Sequence, residues 1–145
     1  MSQPKPQTYA NHTRFDPAFH WFLAPFFLIA WIASVVHLIR HPHWHSAACM
    51  IFAFALVLLV TKMRMYSIKV QDRVIRLEER MRLTTLLPEP LRARIGDLTE
   101  RQLIGLRFAS DAEIPALVER ALREKLTQKQ IKQAIQNWRP DYFRV

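Results

Sequence analysis

Four histidines, His37, His41, His43 and His45, are the densest gathering of metal-ligating side chains in the chain. Neutral imidazoles bind zinc or copper, and they titrate near neutral pH, so the cluster offers a metal- or pH-responsive loop. His37 and His41 are four apart and share a helical face. Beside Pro42 and Trp44, however, these rings also read as ordinary interfacial residues. Haem would want one histidine on each of two facing helices, and the second apolar segment has none, so haem would have to be held between chains. We therefore expect no metal and no cofactor. A single cysteine, Cys49, excludes a disulfide framework and a cysteine-based zinc site, and two glycines cannot build a glycine-rich phosphate loop. Asp, Glu and His converge in no familiar catalytic pattern and there is no serine elbow. The expectation is a protein that is not an enzyme.

The elements that would position such groups follow from where the charge lies. Of 145 residues, 21 are Lys or Arg and 12 are Asp or Glu, and residues 62–145 hold 18 of the basic and 11 of the acidic side chains. Residues 18–60 are almost uncharged. From Ala18 to Ile39 there is no charge besides that of a histidine, and 22 residues at 1.5 Å each span about 33 Å, enough for the hydrocarbon layer. Asp16 can cap this helix, Pro17 suits its first position, and Pro25 is expected to kink it. The apolar run 47–60 is too short alone. It reaches membrane length from about Trp44 to Tyr66 if Lys62 and Arg64 snorkel, and Trp21, Trp44 and Tyr66 then serve as interfacial anchors.

The reading is a transmembrane helical hairpin with spans at about 18–39 and 44–66 and an outer link at 40–45. The link holds one Arg, whereas the N-terminal tail 1–16 and residues 62–82 hold nine Lys and Arg together. By the positive-inside bias both termini are cytoplasmic and the histidines face out. Lys62, Arg64, Lys69, Arg73 and Arg76 would meet anionic lipid of the inner leaflet, at roughly 1 kcal/mol per well-placed cation.

Neither Pro nor Gly occurs between Ala47 and Leu87, so the second span continues as a cytoplasmic rod over 67–87. Cys49, Ala53, Leu56, Val60, Met63, Ser67, Val70, Val74, Leu77, Met81 and Thr84 alternate at spacings of four and three, a heptad seam. Val70, Val74, Leu77 and Met81 are its soluble part. With Val74 at position a and Leu77 at d, Arg73 falls at g and Glu78 at the next e, opposite charges across a parallel pair. The competing reading packs this seam on the protein's own first helix and tail. Ile68, Ile75 and Leu86 make a second strip on the opposite face, which asks for a second neighbour.

Pro88-Glu-Pro90 ends the rod. Residues 88–145 then form a small domain of short helices: Leu91 to Ile95 closed by Gly96, Glu100 to Phe108 capped by Thr99, Asp111 to Leu126 opened by a Ser110/Glu113 box, and Gln128 to Trp138 capped by Thr127. A tail of about 55 residues is near the lower limit for independent stability, so docking on the rod is expected. Lys129, Lys132 and Arg139 near Trp138 raise a nucleic-acid reading, against which acidic residues are interspersed throughout and no recognition motif is present.

Four segments, Asn11-His-Thr-Arg-Phe-Asp-Pro, Val70-Gln-Asp-Arg-Val-Ile-Arg-Leu-Glu-Glu-Arg, Gln102-Leu-Ile-Gly-Leu-Arg-Phe-Ala-Ser-Asp and Asn137-Trp-Arg-Pro-Asp-Tyr, together resemble a family of small bacterial membrane proteins of unknown function. The resemblance covers nearly the whole chain. It implies two spans, a helical tail and the bacterial cytoplasmic (inner) membrane, and it carries no activity, cofactor or catalytic residue.

The sequence thus predicts an all-α membrane protein acting as a scaffold or accessory subunit that presents a basic helical cytoplasmic domain, as a homo-oligomer or beside another membrane protein. A membrane-tethered nucleic-acid-binding regulator, or a metal- or pH-responsive outer loop, remain the alternatives.

Overall fold

The computed structural model describes residues 6–12 and 15–141. The fold is all-α, as the periodicity predicts: among the described residues there is no strand, only an isolated antiparallel bridge between Ala109 and Trp138. Two compact units divide the chain, one of residues 15–69 and the other of residues 6–12 with 70–141.

In the first unit Asp16 caps as expected, its Oδ1 accepting from the backbone N–H groups of Ala18 at 3.1 Å and Phe19 at 3.3 Å. The helix opens as a π-helical turn, Ala18–Leu23, in which the Ala24 N–H reaches back five residues to the Phe19 carbonyl. It then becomes α1, Ala24–Arg40, with Pro25 in its first turn. Pro25 has no N–H to offer the carbonyl four residues back, and a local widening of register is how a helix accommodates that loss.

Three residues, His41 to His43, link α1 to α2, Trp44–Leu86. Both helical stretches, Ala18–Arg40 and Trp44–Leu86, are long and apolar enough to cross a membrane. Their most apolar stretches are 0 % and 6 % buried, the reverse of a core helix in a water-soluble protein. Within the hairpin Trp31 lies against Phe54, with ring centroids 5.5 Å apart, and Ser46 is buried.

In the second unit α2 ends at Leu86, one residue short of the Leu87-Pro88 bond, as the Pro88-Glu-Pro90 run predicts. The short helices are α3 (Glu89–Arg92), α4 (Glu100–Leu106), α5 (Ile114–Glu124) and α6 (Gln128–Ala134), with a 3-10 turn at Ile95–Asp97. Two caps match the reading. Thr99 and Gln102 form a reciprocal capping box on α4, and Thr127 and Gln130 form another on α6.

Several boundaries differ, and α4 stops at Leu106 rather than Phe108. Gly96 does not close a helix from Leu91 to Ile95, since α3 stops at Arg92 and Gly96 lies inside the 3-10 turn. The Ser110/Glu113 box does not form. Pro115 sets the start of α5, and the Glu113 carboxylate instead accepts from the Asn137 backbone N–H at 2.7 Å and its side-chain amide at 2.9 Å. Helix α6 stops at Ala134 rather than Trp138, because the chain turns back to pair with the 108–110 segment: Ser110 donates to the Asn137 carbonyl and Arg139 to that of Phe108.

A single core joins these pieces. Leu83 of α2 and Leu87 just beyond it are buried with Leu103, Leu106, Phe108, Ile114, Val118 and Ile131. Gly105 allows α4 and α6 to approach, since a Cβ there would stand 3.3 Å from Ile131 Cγ2 and 3.4 Å from the Gln128 backbone carbonyl oxygen.

Candidate functional site

The heptad frame of α2 sorts its residues cleanly. From Val70 to Leu86, positions b, c and f (Asp72, Ile75, Arg76, Glu79, Arg82, Leu83, Leu86) are all buried or half-buried under the tail. Positions a and d stay open, with Val70 61 %, Val74 48 %, Leu77 61 % and Met81 64 % exposed. The seam therefore does not pack on the protein's own tail. Arg73 and Glu78 beside it are exposed, and neither has an ion-pair partner among the described residues. The strip opposite is the one that docks the tail, through Ile75 and Leu86 as expected, while Ile68 is 40 % exposed.

On the docked face lies a polar and aromatic node that the sequence reading missed. Glu79, 4 % exposed, continues the line Ile75, Leu83, Leu87 at four-residue spacing, and a carboxylate in such an apolar line was the available signal. Arg82 answers it at 3.2 Å and also donates to Asp111 at 2.9 Å and to the Ala109 carbonyl at 2.7 Å. Arg139 stands 3.8 Å from Glu79.

Next to this network, Phe108 is fully buried between Trp138, at 5.1 Å between centroids, and His12, at 5.7 Å. The Arg107 guanidinium and the Lys132 ammonium lie over the same ring at 4.5 and 5.2 Å. Gln7 closes the edge: its carboxamide accepts from the Asp141 N–H at 2.9 Å and donates to the Asp141 carbonyl at 3.1 Å. All four segments that carry the family resemblance contribute a side chain here, through His12, Glu79, Phe108 and Trp138.

Burial pushes the Glu79 carboxyl pKa above the usual range, outweighing the lowering by Arg82, Arg139 and Arg107. The folded state then holds this proton more tightly than the unfolded chain. Its contribution to stability is full below the unfolded pKa and declines as pH rises through the raised folded value. Glu79→Gln should remove that decline, which thermal unfolding of the solubilised full chain from pH 4 to 8, about one unit per step, would measure. A variant whose curve still falls in parallel with the wild type would assign the dependence to another group.

The basic residues divide. Arg64 is bound within the protein, 3.4 Å from Asp16 and with its guanidinium over Phe19, and Arg76 pairs with Glu100. Lys62 and Arg73 are exposed, and Lys69 lies 5.9 Å from the Tyr66 ring centroid. Trp21, Trp44 and Tyr66 are 76, 73 and 56 % exposed, as interfacial anchors would need to be. Of the cations behind the nucleic-acid reading, Lys132 and Arg139 both reach into the node, and α6 is only seven residues long. An open groove of about 750 Å³ adds Arg101, Lys125 and Lys129 to the basic surface, around Leu122 and Leu126.

The His37 and His41 ring centroids are 5.0 Å apart, and the His45 ring lies tilted against Trp44 with centroids 3.8 Å apart. Among the described residues, no three His, Cys, Asp or Glu side chains converge on a common point.

No curated protein and no solved structure matches this chain. A match does extend over all of residues 1–145 to a family described as a family of unknown function, DUF6526. The chain, whose four resembling segments meet in one buried node, belongs to that family.

Proposed function

We propose that this protein is a non-enzymatic integral membrane protein, a scaffold or accessory subunit whose hairpin is held in the bacterial cytoplasmic membrane. Its basic helical domain faces the cytoplasm and docks a protein partner. The observation that carries the docking role is the open stripe Val70, Val74, Leu77 and Met81 on a helix whose opposite face is covered from Asp72 to Leu86. Four large apolar side chains in line, flanked by charges that pair with nothing among the described residues, suit an interface with a partner.

Membrane residence is supported by the two helices whose most apolar stretches are almost wholly unburied. The orientation draws support from the second unit. Residues 6–12 pack with residues 70–141, which supports a topology with both on one side of the membrane and an even number of crossings between them. Two spans satisfy this. Nine Lys and Arg within residues 1–16 and 62–82, against one in the link, favour the cytoplasm as that side, and the basic stretch suits contact with anionic lipid.

The test uses full-length protein with Cys49→Ser in bacterial cells. It should stay in the membrane pellet after alkaline carbonate extraction. A membrane-impermeant maleimide should label His43→Cys in intact cells and Glu119→Cys only after lysis. Release by carbonate, or labelling of Glu119→Cys from outside, would overturn the assignment. Native mass spectrometry of the gently extracted complex should then give a mass above that of one chain, and a bare monomer would refute the docking role.

A further inference from the structure

The occupant of the open stripe can be named from the charges beside it. We infer that it is a second copy of the same helix, parallel and in register, so that the protein is a homodimer joined along Val70, Val74, Leu77 and Met81. This deepens the docking role proposed above and rests on the membrane reading for its direction.

The partition of α2 is the first argument. In an ordinary two-stranded coiled coil positions b, c and f face water and a and d face the partner helix. Here the protein's own tail occupies the b, c and f face, while Val70, Val74, Leu77, Met81 and Thr84 at a and d remain exposed. The tail has settled on the one side of the helix that leaves a partner free to approach.

The second argument is charge. In a parallel pair, a residue at g meets the residue at e′ five positions on, so Arg73 of each chain faces Glu78 of the other. That gives two symmetric pairs, from side chains that are exposed and bound to nothing else among the described residues. An antiparallel pairing would instead set g against g′, bringing the cations of Arg73 and Arg80 together. The opposite-charge arrangement exists only for parallel copies. Two chains inserted in one membrane with the same orientation present α2 in that sense.

The third argument is side-chain shape. Val74 at a with Leu77 at d is the combination that favours two strands over three or four. Two soluble heptads are a short seam for free helices in water. Chains confined to a membrane have already lost most of the translational and orientational freedom that association costs, which lets a short seam suffice.

The experiment is disulfide trapping in native membranes, with Cys49→Ser as background and a single new cysteine at Val74→Cys, Leu77→Cys or, as a control on the exposed tail surface, Arg101→Cys. On mild copper-catalysed oxidation the first two should give crosslinked dimer well above the control. Arg73→Glu and Glu78→Arg, each combined with Val74→Cys, should weaken trapping by about tenfold, and the double exchange of both charges should restore it. Trapping at 74 and 77 no greater than at 101, or a double exchange no better than the singles, would overturn the homodimer. Crosslinks from position 74 to a different protein would do so as well, while leaving the docking role standing. Membrane residence is read separately, by carbonate extraction, so its failure is not confused with failure of the seam.

Discussion

Phe108→Ala will unfold the helical domain, at a cost of about 3–5 kcal/mol from lost burial and the cavity left behind. The side chain is fully buried, and Trp138, His12, Arg107 and Lys132 are all arranged around its ring. Truncation therefore removes the common surface on which three separate segments meet. In a domain of this size, 1 kcal/mol moves the melting midpoint by about 4–8 °C, so the expected loss exceeds about 12 °C. Phe108→Leu, which keeps most of the volume, should cost roughly 1 kcal/mol. Thermal unfolding followed by circular dichroism, with proteolysis of residues 88–141 as a second readout, checks both. A midpoint for Phe108→Ala within about 4 °C of the wild type would mean that the segments are held together elsewhere.

Arg82→Met should be nearly as damaging, by about 3 kcal/mol, for a different reason. The arginine side chain is 12 % exposed and serves Glu79, Asp111 and the Ala109 carbonyl at once. Without it, Glu79 keeps only Arg139, 3.8 Å away and half exposed, and must remain buried nearly unpaired or take up a proton. Asp111 is well exposed and loses little. This assigns most of the damage to Glu79 and makes a sharper expectation. Adding Glu79→Gln to Arg82→Met should recover about 1–2 kcal/mol, since an amide can be buried more cheaply than a carboxylate. A double variant no more stable than Arg82→Met alone would place the cost in lost packing instead.

What could be read from the sequence was local. Thr99 with Gln102 and Thr127 with Gln130 each carry a cap and its reply within four residues, and both formed. The repeat of four and three through Val70, Val74, Leu77 and Met81 was legible for the same reason, and what the structure adds is that these residues are exposed. The readings that failed were overruled by long-range partners. Glu113 could have closed a capping box with Ser110, but it satisfies Asn137 instead, and the predicted last turns of α6 gave way so that Trp138 could reach Phe108. The node lay beyond local reasoning altogether. Its members come from residues 7–12, 79–82, 107–111 and 132–141, and nothing in their spacing announces that they meet. The resembling segments marked those regions without giving a physical cause, which the structure supplies as a shared closure of the fold.

The bond between Gln7 and Asp141 joins residues 134 positions apart, so its first half is made long before its second. At roughly 5–20 residues per second, the first waits on the order of ten seconds for the second. Throughout that time the ribosome has not released the residues around Trp138, and Phe108 lacks its cover. A chain that stops early keeps both apolar helices and most of the tail but never receives its latch. The domain therefore closes only after the stretch from Trp138 to Asp141 has been made, and a product truncated before it is distinguishable by the aromatic surface it still shows.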